Sequence, residues 1–147
     1  MTARHDLSSP PRRSLSEKIA LGFEVLTSYA LARWRLQRSG LPGAIAALRA
    51  VEPRRAGPAH AGADDPVHSG RRLGRVVRRT LAVLPSDTRC LAQSLTLTRM
   101  LASRGVESEL VIGVRPGERF AAHAWVEYEG IPLLPRGTDQ FEELVTL

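Results

Sequence analysis

The chain has few of the residues that form covalent or metal-bound frameworks. Its 147 residues include one cysteine, Cys90, which excludes an internal disulfide and a multi-cysteine zinc or iron–sulfur site. Lys18 is the only lysine among 21 basic residues, and aromatic residues make up 5% of the chain. Frequent Ala, Gly and Pro beside so many arginines are typical of a codon bias toward G and C. The basic composition is therefore a weak indication of a binding partner.

Long apolar runs are also missing. The longest, residues 19–32, is interrupted by Glu24 and is shorter than the roughly 20 residues that span a bilayer. Residues 1–16 are polar and lack the apolar core of a secretion signal. Hydrophobic residues nevertheless reach 43%, and the length suits one domain. The sequence predicts a compact cytoplasmic protein with no membrane span.

The positive charge is confined to one half of the chain. Residues 1–80 contain 15 basic and 6 acidic side chains, a net charge of +9, whereas residues 81–147 have a net charge of −3. A basic half favours nucleic acid, an acidic partner or an anionic membrane surface. No nucleic-acid-binding motif and no interleaved aromatic residues accompany these arginines. We therefore expect no nucleic-acid partner.

Composition divides the chain into four segments. Apolar residues recur at helical spacing from Ile19 to Trp34, after a capping box formed by Ser14 and Glu17, and Gly40 separates helices at about 16–38 and 44–51. The next segment is rich in Pro and Gly and has no apolar pattern. The predicted segments are a disordered tail (1–13), a helical segment (14–52), a flexible loop (53–70) and a catalytic core (71–147).

The core segment has two helical patterns followed by strand patterns. Residues 71–84 predict a helix with its arginines in solvent, and about 88–103 predict another, capped by Ser86 or Asp87. Enrichment in β-branched residues and turn signals then predict short strands at 110–114, 120–128 and 131–134. The predicted fold class is α+β, with N-terminal helices followed by a small antiparallel sheet.

Cys90 is the first candidate for chemistry. With Asp87 as the N-cap, it is the third residue of its helix, where unpaired N–H groups and the helix dipole favour a thiolate. The thiolate is the nucleophilic form of cysteine. The alternative is a packing role, because free cysteine is among the most buried residue types.

His123 is the second candidate. On an extended strand, His123, Trp125 and Glu127 share one face, and the imidazole lies between small neighbours. A cysteine nucleophile needs such a base, oriented by an acid or amide. The alternative is a partly exposed histidine with an ordinary hydrogen bond.

The segment from Cys90 to Gly130 resembles the leader peptidases of lasso-peptide biosynthesis, the transglutaminase-like stand-alone peptidase half of a split B protein. The resemblance is strong in the second half of the chain and covers the helical first half only by general layout. Four ordered motifs support it: Cys90-Leu-x-x-Ser94, Arg104-Gly-Val106, Ile112-Gly-Val-Arg115 and Ala122-His-Ala-Trp-Val-Glu127.

The resemblance implies a transglutaminase-like, papain-like cysteine protease core that removes the leader from a ribosomally made precursor peptide. Cys90 would attack and His123 would transfer protons, without metal or other cofactor. In the family, an acid or amide follows the histidine by about a dozen residues, but Pro135 stands there and cannot orient an imidazole. Asp139 is assigned provisionally to this role, and a Cys–His dyad is the alternative.

The resemblance also implies partners and leaves other functions open. A small leader-recognition protein would act with the peptidase, and a separate ATP-dependent lasso cyclase would close the macrolactam. Leu31, Trp34 and Leu36 are candidates for the docking surface. The alternative functions are a transglutaminase-like amidase or acyltransferase with the same Cys–His pair, and a non-catalytic peptide-binding subunit.

Overall fold

A computed structural model describes residues 14–50, 65–83, 89–115, 121–137 and 141–147. Helices come first and strands follow, which confirms the predicted α+β arrangement. The predictions for the tail 1–13, for the loop up to residue 64 and for the caps Ser86 and Asp87 lie outside the described residues. The elements are α1 (Leu15–Arg49), α2 (Pro66–Leu81), α3 (Arg89–Ala102), β1 (Glu109–Arg115), β2 (Ala121–Tyr128), β3 (Ile131–Pro132) and β4 (Glu142–Thr146).

Helix α1 contains the two predicted helices, joined at a kink. The Ser14 side chain accepts from the Glu17 backbone N–H while the Glu17 carboxylate accepts from the Ser14 N–H, so the predicted capping box is present. The kink is at Gly40, whose φ of 65° lies in the left-handed region that glycine adopts without steric cost. Pro42 follows inside the merged helix, at the start of its second part.

The apolar stripe that predicts α1 faces solvent. Ile19, Phe23 and Trp34 are all exposed, whereas the buried face consists of Val25, small residues such as Ser28 and Ala32, and Leu48 beyond the kink. Polar contacts fasten this buried face to α3 and the turn that follows it. The guanidinium of Arg104 donates to both carboxylate oxygens of Glu24 at 2.9 Å, and Arg99 donates to the Ser28 hydroxyl.

Helix α2 begins earlier than the sequence indicates. Asp65 caps it by accepting from the Val67 N–H, and Pro66 is its first residue, where the missing N–H costs nothing. Residues 66–70, expected in the flexible loop, are therefore helical. Its sidedness is as predicted: Leu73, Val77 and Leu81 are buried, and the arginines at positions 71, 72, 75, 78 and 79 are exposed.

Helix α3 agrees with its prediction to within a residue at each end. Gly105, with a φ of 73°, ends the turn that follows it, and the Val106 N–H returns to the Leu101 carbonyl. Leu95, Leu97 and Met100 are almost fully buried, because α1, α2 and the sheet all pack on this helix. It is the central element of the core.

The sheet has the strand order β3-β2-β1-β4. The antiparallel meander β1-β2-β3 was predicted, with β3 shorter than expected. β4 was not predicted: the C-terminal residues return antiparallel to β1 on its other edge, where the Leu147 N–H and the Leu110 carbonyl pair at 2.8 Å. Within the described ranges, no helix is both long and apolar enough to cross a bilayer.

Candidate active site

Cys90 is the second residue of α3, a half-buried free thiol. Because the first four N–H groups of a helix have no partner within it, the backbone around Cys90 favours negative charge. α3 packs against β2, the strand that contains His123. These two elements are therefore in contact, and Cys90 and His123 as a catalytic pair stay a prediction.

His123 lies in β2 opposite Gly113 of β1. Its Nε2 is 3.0 Å from the carbonyl oxygen of Pro135. A carbonyl oxygen only accepts hydrogen bonds, so Nε2 must donate the proton. In the neutral imidazole this leaves Nδ1 unprotonated, with a lone pair able to accept a proton from a thiol.

Two aromatic rings hold the imidazole. Trp125 stacks on it with ring centroids 6.0 Å apart and planes at 22°, and Phe141 lies on it at 5.4 Å and 30°. The opposing Gly113 leaves room for both, since a Cβ there would be 2.8 Å from the Trp125 ring and from the Phe141 Cβ. Phe141 was not identified from the sequence, because no local pattern brings the residue before β4 against β2.

The Glu127 carboxylate, on the same face of β2, accepts hydrogen bonds from Trp125 and Arg136. The Trp125 indole N–H donates to its carboxylate at 2.6 Å, and Arg136 donates to the same oxygen from Nε at 2.8 Å. Strand alternation predicts that His123, Trp125 and Glu127 share one face, and these contacts confirm it. Glu127 holds Arg136, and so fixes the residue that follows Pro135.

Backbone contacts and close packing also fix the segment before Pro135. The Leu133 N–H donates to the Val126 carbonyl at 2.8 Å, and Leu134 is buried beside it. On the other side, α2 approaches through Gly70 and Gly74, where an added Cβ would be 2.9 Å from the Leu133 side chain and 2.8 Å from the Leu133 carbonyl oxygen, respectively. The His123 acceptor thus has a position set by α2 and β2 together.

Pro135 corrects one inference from the sequence. Pro135 was expected to be unable to orient an imidazole, but its main-chain carbonyl contacts Nε2. A sequence shows side chains and not the direction of a carbonyl, so the contact had no local signal. Asp139 lies outside the described residues, and its assigned role stays a prediction.

Other polar groups near the two candidates have limited roles. Ser94, one helical turn beyond Cys90, is fully buried and therefore does not line an open cleft; within the described part of the chain, its hydroxyl finds no hydrogen-bond partner. Gln93 is half-buried. Farther along β2, the charge of Glu129 raises the pKa of the Tyr128 phenol, with smaller contributions from burial and a hydrogen bond to Glu129. Tyr128 therefore stays protonated at neutral pH.

Comparison with known families agrees with this arrangement. The model of the transglutaminase-like superfamily matches residues 25–146, which is most of the chain. The chain belongs to this superfamily, which includes cysteine proteases. No curated protein and no solved structure matches it significantly.

Proposed function

We propose that the chain is a cysteine peptidase that removes the leader from a ribosomally made lasso-peptide precursor. The observation that supports it most directly is the hydrogen bond between His123 Nε2 and the Pro135 carbonyl, because it leaves Nδ1 as a base. Membership of the transglutaminase-like superfamily and the packing of α3 on β2 support a thiol partner for that base. The motifs from Cys90 to Glu127 favour the leader-peptidase branch.

In the proposed reaction, Nδ1 of His123 takes the proton of the Cys90 thiol. The sulfur then attacks the scissile carbonyl carbon, and the π electrons of the carbonyl bond move onto the carbonyl oxygen. Backbone N–H groups at the start of α3 would stabilise this oxyanion, typically by ~3–4 kcal/mol per donor. The tetrahedral intermediate collapses as His123 returns the proton to the leaving amine, which leaves a thioester on Cys90.

Hydrolysis of the thioester completes the cycle. His123 takes a proton from water, the resulting hydroxide adds to the thioester carbon, and the carbon–sulfur bond breaks. The sulfur leaves as a thiolate and regains its proton from the imidazolium. The products are the leader with a free carboxylate and the core peptide with a free amine, the group that the cyclase needs for macrolactam closure.

The partners are part of the same proposal. The large exposed apolar side chains of α1 fall on one helical face about 28 Å long, since each residue rises about 1.5 Å. Trp34, one of the residues predicted for docking, lies on this face with the guanidinium groups of Arg35 and Arg38 about 5 Å from its ring. We assign this apolar face to the leader-recognition protein. Its members are Leu15, Ile19, Phe23, Leu26 and Trp34.

The test compares cleavage of the cognate precursor peptide by wild type, Cys90→Ala and His123→Ala, with products identified by mass spectrometry. Both variants should lose cleavage by about 10³-fold or more and still fold, which circular dichroism checks. Because Cys90 is the only cysteine, iodoacetamide reports it alone. Wild type should be alkylated at pH 7 much faster than a free thiol, and His123→Ala should be slower. Cleavage by Cys90→Ala, or slow alkylation that His123 does not affect, would refute the proposal.

A further inference from the structure

A groove runs between α2 and the segment that leads from β3 to Pro135. Its volume is about 310 Å³, at the lower end of the range for ligand sites. One wall is cationic and the other is mostly apolar. The lining residues are Arg71, Gly74, Arg75 and Arg78 of α2 and the run Pro132 to Pro135.

The two walls run in the same direction. Arg71 donates from Nε to the Pro132 carbonyl at 3.0 Å, and Gly74, almost a turn later, meets Leu133 and Leu134. From Arg71 to Arg78 the helix rises about 10.5 Å, and the segment from Pro132 to Pro135 follows it through a bend at Leu133 and Leu134. Arg78 therefore lies toward Pro135. Pro135, which lines the groove, accepts a hydrogen bond from Nε2 of His123, the candidate base.

We propose that this groove binds the substrate as an extended acidic peptide segment next to the scissile bond. The inference rests on the proposed function and adds the class of substrate. Carboxylates complement the arginines, and the apolar wall suits the intervening side chains. Arg71 and Arg75 are about 6 Å apart along the helix axis, close to the ~6.6 Å between alternate residues of a strand. The favoured ligand has Asp or Glu at every second position.

The experiment measures binding to Cys90→Ala, so that no cleavage intervenes. Two fluorescein-labelled octapeptides are compared by anisotropy at low salt: one alternates Glu with Leu or Ala, and the other has Gln in place of every Glu. The Glu peptide should bind at least about tenfold more tightly, and added salt should weaken it selectively. Equal affinity of the two peptides would overturn the proposal.

Substitutions on α2 locate the site. Arg75→Gln and Arg78→Gln should each weaken the Glu peptide about threefold, and the pair about tenfold, as expected for partly exposed ion pairs. Arg79→Gln is the matched control, because Arg79 is exposed on the same helix and does not line the groove. It should have almost no effect. An equal loss in Arg79→Gln would indicate general attraction to a basic surface and overturn the assignment.

Charge reversal and a competing ligand complete the test. Arg75→Glu/Arg78→Glu should prefer a peptide with Lys in place of Glu. If a labelled single-stranded octanucleotide binds more tightly than the Glu peptide and is lost in Arg75→Gln/Arg78→Gln, the groove is a nucleic-acid site and the proposal fails.

Cleavage assays separate this inference from the proposed function. Normal turnover of the precursor with an unchanged KM in Arg75→Gln/Arg78→Gln would refute the groove alone. Selective peptide binding without any cleavage by the wild-type protein would refute the peptidase alone.

Discussion

At the residue scale, the feature that distinguishes this site is a neutral acceptor for the histidine. A carboxylate at Nε2 would fix the ring and also stabilise the imidazolium by its charge. The Pro135 carbonyl fixes the tautomer and the ring orientation without a full charge. Stacking by Trp125 and Phe141 limits the ring further. The histidine is thus oriented by a dipole and by packing.

The hydrogen bond from His123 to the Pro135 carbonyl predicts how a substitution of Asp139 affects turnover. Because Nε2 has one hydrogen and the Pro135 carbonyl accepts it, Asp139→Asn should keep turnover within about threefold of wild type, whereas loss of an orienting carboxylate in a triad costs about 10⁴-fold. Single-turnover cleavage of the precursor measures it, with His123→Ala as the inactive reference. A loss of tenfold or more would assign the orienting role to Asp139, as expected from the sequence.

At the element scale, two glycines determine how closely α2 approaches the segment before Pro135. Gly70 and Gly74 are one turn apart on the buried side of α2. A Cβ at Gly74 would be 2.8 Å from the Leu133 carbonyl oxygen, and a Cβ at Gly70 would be 2.9 Å from the end of the Leu133 side chain. Glycine inside a helix costs about 1 kcal/mol relative to alanine. Despite this cost, glycine permits the close contact of α2 with Leu133, and this contact positions the Pro135 carbonyl that accepts from His123.

Gly74→Ala should therefore destabilise the protein despite the better helix propensity of alanine. The added Cβ would lie 2.8 Å from the Leu133 carbonyl oxygen. The backbone and side-chain shifts that relieve such overpacking typically cost ~1–3 kcal/mol. After the gain of about 1 kcal/mol in helix propensity, urea unfolding should show a net loss of up to about 2 kcal/mol. Displacement of Pro135 should also slow cleavage, about tenfold.

Gly22→Ala in α1 is the control for that prediction. Nothing lies within 4 Å of a Cβ built there. The substitution should stabilise the protein by about 0.5–1 kcal/mol and leave cleavage unchanged. If both alanine variants gained stability, the packing argument for Gly74 would be wrong.

At the scale of the whole molecule, α1 has two different faces. Its buried face, which includes Val25 and Ala32, packs on α3. At the margin of this face, Arg104 in the turn after α3 donates to Glu24 of α1. Its apolar face remains in solvent. Contiguous exposed apolar surface of this kind marks interaction sites, which is why the proposal assigns it to the leader-recognition protein.

The double variant Ile19→Gln/Phe23→Gln should weaken binding of the recognition protein and leave the stability of the fold almost unchanged. Because Ile19 is 65% and Phe23 is 69% exposed, the free energy of unfolding should change by less than about 0.5 kcal/mol. Affinity for the recognition protein of the same pathway, measured by calorimetry, should fall about tenfold or more. Ala20→Gln, also exposed on α1 but outside the apolar face, is the control. Unchanged affinity in the double variant would exclude the face as the docking surface.

The sequence determined the elements whose signals are local. Four features depend only on neighbours within one or two turns, and each was predictable. They are the cap at Ser14, the helix break at Gly40, the exposed arginine face of α2 and the helix end at Gly105. Alternation along β2 likewise placed His123 and Trp125 on one face, and the motifs around Cys90 indicated the transglutaminase-like family. Cys90 and His123 as a working pair stay a prediction.

Only the tertiary structure decided which surfaces and backbone groups meet. Three features depend on residues far apart in the chain. They are the pairing of β4 with β1, the contact of Phe141 with His123 and the solvent exposure of the apolar face of α1. The Pro135 carbonyl is the clearest case. Every residue has such an acceptor, so residue identity does not reveal which one a folded chain directs at an imidazole.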